Sequence, residues 1–106
     1  MRYRLFGRTG LRVSEVFLGT MVLDDAAVAR KIIDAYADAG GNVLDTASAY
    51  GNGEELLGSV LERRDRFVLA TKYTLSRDAS DPNAAGNHRK NLVLSVEQSL
   101  RRLRTD

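Results

Sequence analysis

Asp45, Tyr50 and Lys72 are the residues of this sequence whose types and placement could do chemistry together. Asp45 lies in the short apolar run Asn42-Val43-Leu44-Asp45-Thr46, Tyr50 in the loop just after it, and Lys72 closes the run Arg66-Phe67-Val68-Leu69-Ala70-Thr71-Lys72. A free tyrosine titrates near about 10 and is a poor proton donor at neutral pH. An ammonium beside it favours the phenolate and makes the phenol a better acid. A carboxylate in turn holds that ammonium in place and keeps it charged. A tyrosine tuned in this way can protonate a developing alkoxide, and positioned acid catalysis of this kind contributes roughly 10²–10⁴-fold. Any hydride in such a reaction comes from a cofactor, because no side chain supplies one.

Taken singly, each residue has an ordinary alternative. Asp45 before Thr46 also suits a loop cap, Tyr50 a half-buried loop aromatic, and Lys72 a solvated strand end. Other candidates are weaker. His88, the only histidine, stands beside Arg89 and Lys90 and reads as a solvated or helix-capping residue; alone it cannot make a metal site. Gly51-Asn52-Gly53 lacks the lysine and spacing of a phosphate loop and does not directly follow a strand, so it reads as a turn. Without cysteine, disulfides, thiolate metal sites and cysteine nucleophiles are excluded. Met1 and Met21 make no methionine-rich surface.

The elements that must position these groups follow from the patterning. Leu5-Phe6 and Leu11-Arg12-Val13 flank Gly7-Arg8-Thr9-Gly10, which predicts a small hairpin. Val16-Phe17-Leu18, ending at Gly19, predicts a buried strand. Asp24-Asp25 opens a helix at its positive end, with Val28, Ile32, Tyr36 and Ala39 as its apolar stripe and Ala35 on the same face. Gly40-Gly41 ends it. A second strand covers residues 42–46 and a second helix Glu54 to Glu62, with Leu57 and Leu61 on one face. The apolar centre of residues 66–72 suits a third strand covered on both faces. Ser76 to Asn87, with the only proline, Pro82, is a loop. Arg89 to Arg104 is a third helix with a Leu92, Val96, Leu100, Leu103 stripe. Arg101, Arg102 and Arg104 read as its solvated face. A hairpin followed by strand–helix units means an α/β protein with a parallel sheet. In a strand–helix barrel the C-terminal strand ends, where Asp45, Tyr50 and Lys72 fall, are where active sites are built.

The balance of 16 basic and 14 acidic residues argues against a nucleic-acid partner. No apolar run is long enough for a membrane span, and the start Met1-Arg2-Tyr3-Arg4 lacks a signal peptide's apolar stretch. The default expectation is cytoplasmic. Three parallel strands cannot close a barrel, and the third would keep an open edge, a hazard for self-association. The last helix also lacks a glycine stop. The expectation is therefore of one domain that continues past Asp106.

At these residues the sequence resembles the aldo/keto reductase family from end to end. Tyr3-Arg4-Leu5-Phe6-Gly7-Arg8-Thr9-Gly10-Leu11-Arg12-Val13-Ser14 is similar to the family's opening, and Leu18-Gly19-Thr20-Met21 to its first strand end. Ala39-Gly40-Gly41-Asn42-Val43-Leu44-Asp45-Thr46-Ala47 with Tyr50-Gly51 is similar to its most diagnostic stretch, and Ala70-Thr71-Lys72 to the next. Asn87-His88-Arg89-Lys90-Asn91 and Ser99-Leu100-Arg101-Arg102-Leu103 resemble the approach to its fourth strand.

The resemblance implies an eight-stranded (β/α) TIM barrel plugged at its N-terminal end by the hairpin. This chain would supply the hairpin and about three βα units, residues 1–106 being the N-terminal part of one domain. It implies reduction of a small aldehyde or ketone with NADPH. Tyr50 matches the general acid, and Asp45 and Lys72 match its tuning partners. Gly19, Thr20, Met21 and Asp45 would touch the nicotinamide end of the cofactor. The family's fourth catalytic residue is a histidine at the end of the fourth strand, which His88 does not match. The family's main phosphate and adenine contacts come later still. Besides those later contacts, one more departure matters: Glu54-Glu55 follows Gly53 directly where the family has a Ser-Glu pair, which leaves that segment short. Residues 1–106 alone are thus expected to be inactive. The alternatives are a truncated, non-catalytic fragment or assembly subunit, and a barrel of the same family that senses cofactor without fast chemistry.

Overall fold

The computed structural model describes residues 1–106. Strands β1 (Tyr3–Leu5) and β2 (Arg12–Ser14) form the expected antiparallel hairpin, with Tyr3 opposite Ser14 and Leu5 opposite Arg12. Its turn needs the left-handed backbone of Gly7 and Gly10 (φ 57° and 79°). Asn42 bolts the hairpin to the main sheet: its Oδ1 accepts from the Ser14 amide at 2.8 Å and its Nδ2 donates to the Arg12 carbonyl at 2.9 Å. Because Asn42 immediately precedes a sheet strand, the hairpin sits at that sheet's N-terminal end, as the resemblance implies.

The main sheet holds β3 (Leu18–Gly19), β4 (Val43–Asp45) and β5 (Val68–Ala70), parallel and in that spatial order. Leu44 pairs with Leu18 on one side and Leu69 on the other, so β4 is central and its Val43 and Leu44 are buried. Two strand expectations need correction. Val16 and Phe17 are 59% and 42% exposed rather than a buried strand. The Val16 carbonyl is taken by the Ser14 and Tyr36 hydroxyls, which pulls the backbone out of the ladder until Leu18. Strand β5 is half-buried throughout, because it has a strand neighbour on one side only.

Helix α1 (Ala26–Asp38) starts where the Asp25 carboxylate accepts from the Val28 amide at 2.8 Å. Its buried face is Ala29, Ile33 and Ala37, one residue round from the expected stripe; Val28 and Ile32 are exposed. The two alanines bring the helix close to the sheet, and Tyr36 reaches past it to accept from the Val43 amide at 3.2 Å. Gly40 turns left-handed (φ 89°), and the Gly41 amide returns to the Tyr36 carbonyl at 2.8 Å, closing a Schellman-type end. A Cβ at Gly41 would run into the Tyr36 ring.

Helix α2 (Gly53–Val60) is shorter than the expected Glu54 to Glu62, because Leu61 already has extended backbone (ψ 93°). Helix α3 (Arg89–Leu103) is capped by His88, whose Nδ1 accepts from the Asn91 amide at 3.3 Å while Nε2 lies 3.0 Å from the Ala85 carbonyl. It ends on Arg104 in the left-handed region (φ 54°), so a non-glycine residue makes the stop. Of its expected stripe Leu103 is buried, but Leu92 and Val96 are exposed, and Asn91 and Ser99 lie inward instead. Arg102 is not on a solvated face: it turns inward to Glu54. The core joins Leu44 to Ala29, Ile33 and Ala37 of α1, Leu57 and Val60 of α2, Phe67 and Leu103.

Helices α2 and α3 pack backbone to backbone at Gly58. A Cβ there would overlap the Arg102 carbonyl oxygen and lie 2.9 Å from the Leu103 carbonyl carbon, atoms that cannot rotate away. Glycine to alanine inside an exposed helix normally gains about 1 kcal/mol. At Gly58 the sign should reverse: Gly58→Ala is expected to lower stability by about 1–3 kcal/mol through overpacking. A urea midpoint at or above the wild-type value would show that the helices separate freely.

Candidate active site at the strand ends

Backbone pairing delivers the three candidate side chains to one place. Asp45 is the last residue of β4 and lies opposite Gly19 and Ala70. Pairing continues past the strands: the Thr46 amide bonds the Ala70 carbonyl at 2.8 Å and the Ser48 amide the Lys72 carbonyl at 3.0 Å. Lys72 Nζ therefore meets both Asp45 oxygens, at 2.7 and 2.8 Å, and donates to the Thr46 carbonyl at 2.9 Å. Those contacts use all three N–H groups of the ammonium.

Tyr50 returns to this pair through a tight turn. Its amide bonds the Ala47 carbonyl at 3.1 Å, Gly51 is left-handed (φ 53°), and the Gly53 amide bonds the Tyr50 carbonyl at 2.8 Å. Lys72 Nζ then lies 5.5 Å from the centre of the Tyr50 ring. The sequence suggests that Lys72 reaches both the Asp45 carboxylate and the Tyr50 hydroxyl. It reaches the carboxylate, but meets Tyr50 through the ring face, since its donors are committed elsewhere. Side-chain exposures of 50% for Lys72 and 35% for Asp45 leave the group open to a ligand.

The strand-end residues expected to meet a cofactor divide into two kinds. Gly19 and Met21 are exposed, and nothing lies within 4 Å of where a Gly19 Cβ would stand. Thr20 is buried; its amide and hydroxyl both donate to the Asp45 carbonyl, at 3.0 and 3.1 Å, so it ties β3 to β4. A groove of 610 Å³ runs from Tyr50 past Met21, Leu23 and Leu56. His88 stays at the start of α3 as a helix cap.

A charged cluster that the sequence pattern does not single out lies beneath the site. The Glu54 side chain is completely buried; it accepts from the Thr71 hydroxyl at 2.7 Å and from Arg102 at 3.0 Å. Arg102 also bonds Gln98 at 3.2 Å and lies 3.6 Å from Glu55, which Arg77 of the long loop reaches at 3.0 Å. The available signal was spacing: Glu54 stands one helical turn before Leu57 and shares its inward face. Burial pushes the Glu55 carboxyl up, but the Arg77 hydrogen bond, a bond from its own backbone amide and the charges of Arg77 and Arg102 together outweigh it and leave Glu55 below its ordinary 4.5. A lowered carboxylate stabilises the fold above its unfolded value, and that contribution fades as pH falls through the folded value. The stability lost on acidification below pH 4.5 should therefore be smaller in Glu55→Gln than in the wild type. Urea midpoints across that range give the comparison, and parallel curves would remove Glu55 from the acid response.

The family model described as the aldo/keto reductase family matches residues 15–106. The chain is 38% identical to aldo-keto reductase ausK of Emericella nidulans, over 98% of this chain and 32% of the relative. It is 44% identical to norsolorinic acid reductase stcV of the same organism, over 92% of this chain and 30% of the relative. A solved aldo-keto reductase from Bacillus halodurans, in its holo form, superposes on all of this chain with a TM-score of 0.87, at 35% identity and over 37% of its own length. The chain thus spans about a third of the length of these curated relatives.

Proposed function

The chain belongs to the aldo/keto reductase family, and on that premise we propose that residues 1–106 form the N-terminal part of a single (β/α)8 barrel domain that reduces aldehydes or ketones with NADPH. The observation that carries this reading is the ammonium of Lys72, held by both Asp45 oxygens and set over the Tyr50 ring at the C-terminal ends of parallel strands. The hairpin at the opposite sheet end and the strand order support the same barrel.

When bound, a nicotinamide cofactor supplies the hydride. The open strand end at Gly19, with exposed Met21 beside it and Asp45 opposite, fits a ring laid against it. Thr20 contributes by fixing that strand end, since its hydroxyl is spent on the Asp45 carbonyl. Tyr50 gives its proton to the carbonyl oxygen as negative charge develops there, so that the carbonyl becomes an alcohol. Lys72 stabilises the phenolate left behind through its charge beside the ring. Asp45 holds the Lys72 ammonium in place through both carboxylate oxygens.

Tyr50→Phe in the full-length protein keeps the ring under Lys72 and removes only the hydroxyl. We expect kcat for NADPH-dependent carbonyl reduction to fall by at least about 10²-fold, with the circular dichroism and melting temperature unchanged. Turnover within a few-fold of wild type would strip Tyr50 of the acid role.

A further inference from the structure

The most deeply buried ionisable side chain in the molecule takes no part in that chemistry. Glu54 is fully buried at the first turn of α2, in a position where a carboxylate is costly unless paired and hydrogen-bonded. Its two oxygens have separate duties. Oε2 takes Arg102 from α3 at 3.0 Å. Oε1 takes the Thr71 hydroxyl at 2.7 Å. Thr71 is the residue immediately before Lys72, and Glu54 follows Tyr50 across the single turn Gly51-Asn52-Gly53.

The Glu54–Thr71 bond therefore spans the two chain segments that carry the candidate acid and its ammonium. On one side, the Gly53 amide is tied to the Tyr50 carbonyl at 2.8 Å, so the start of α2 moves with Tyr50. On the other, the Ser48 amide holds the Lys72 carbonyl at 3.0 Å. No hydrogen bond joins Lys72 to the Tyr50 hydroxyl, so the ammonium–ring spacing has no polar bond of its own. We propose that Glu54 is a positioning residue: neutralised by Arg102 and bonded to Thr71, it sets how Lys72 lies against the Tyr50 ring. The proposal rests on the reductase reading for its meaning, but its geometry can be tested without turnover.

The test removes the brace and leaves the ion pair. Thr71→Val replaces the hydroxyl by a methyl group of similar size and leaves Glu54 paired with Arg102, so the carboxylate keeps its charge partner when the brace is lost. Lys31, Lys72 and Lys90 are the lysines of residues 1–106; in lysine-labelled full-length protein the Lys72 ε-methylene is assigned by NMR as the signal that disappears in Lys72→Arg. A methylene beside an aromatic face shows an upfield ring-current shift, and Tyr50→Leu defines its absence. In Thr71→Val we expect the Lys72 signal to collapse toward the Tyr50→Leu value, and in Thr71→Ser to stay at wild type. A wild-type Lys72 signal in folded Thr71→Val overturns the proposal, as does a wild-type chain whose signal already equals that of Tyr50→Leu. Should Thr71→Val fail to fold, Thr71→Ala, which only removes atoms, reads the same quantity. Loss of the shift in Thr71→Val without any carbonyl reduction by the full-length protein would sink the reductase reading and leave the brace standing.

Discussion

Everything at the strand ends depends on the register of the three parallel strands. Asp45 stands opposite Gly19 and Ala70, and the pairing runs on through Thr46 and Ser48 to Lys72. With that register, an aspartate and a lysine distant in sequence meet through both carboxylate oxygens. A slip of one residue would turn every side chain of β4 to the other face and carry the Asp45 carboxylate away from Lys72. The register is protected because Val43 and Leu44 are buried, and because Asn42 and Thr20 clamp β4 at either end, to the hairpin and to β3.

Beneath that register lies a polar layer that a purely apolar core would not need. Removing one partner from a buried ion pair costs several kcal/mol, while replacing both with apolar groups is often neutral. Stability alone is thus a weak reason to keep Glu54 and Arg102. What an apolar pair could not reproduce is the directional bond to Thr71 at 2.7 Å, which joins the start of α2 to the residue that follows β5. Gly58 belongs to the same arrangement, since only a residue without Cβ lets α3 come close enough for Arg102 to reach Glu54.

Much of the site was legible in the sequence because it sits at element ends. Asp45, Tyr50 and Lys72 are each marked by the close of an apolar run or by the turn after it, and those boundaries were read nearly in place. The contact between Lys72 and Tyr50 was not legible in detail. Whether the ammonium meets the hydroxyl or the ring depends on how many of its donors the backbone claims, and the Thr46 carbonyl claims one. Thr20, expected to touch the cofactor, ties β3 to β4, because a hydroxyl at a strand end serves a neighbouring carbonyl as readily as a ligand. Glu54 was passed over because acidic residues in a first turn are expected to face water, where they complement the helix dipole.

The apolar stripes match the buried helix faces unevenly, and the cause is the number of neighbours each helix has. Helix α2 packs between α1 and α3, and its Leu57 and Val60 are buried. Helices α1 and α3 each have α2 on one side only, and Val28 and Ile32 on one, Leu92, Val93 and Val96 on the other, remain exposed. Apolar spacing reports which residues a sequence is suited to bury. It does not report whether residues 1–106 contain the surface that covers them. The expected face is rotated on the two outer helices, and on α2 it is met by Leu57 alone, since Leu61 lies past the helix end and Val60 takes the inward place. The exposed apolar flanks of the two outer helices stand beside the open edges of β3 and β5, each of which has a strand neighbour on one side only.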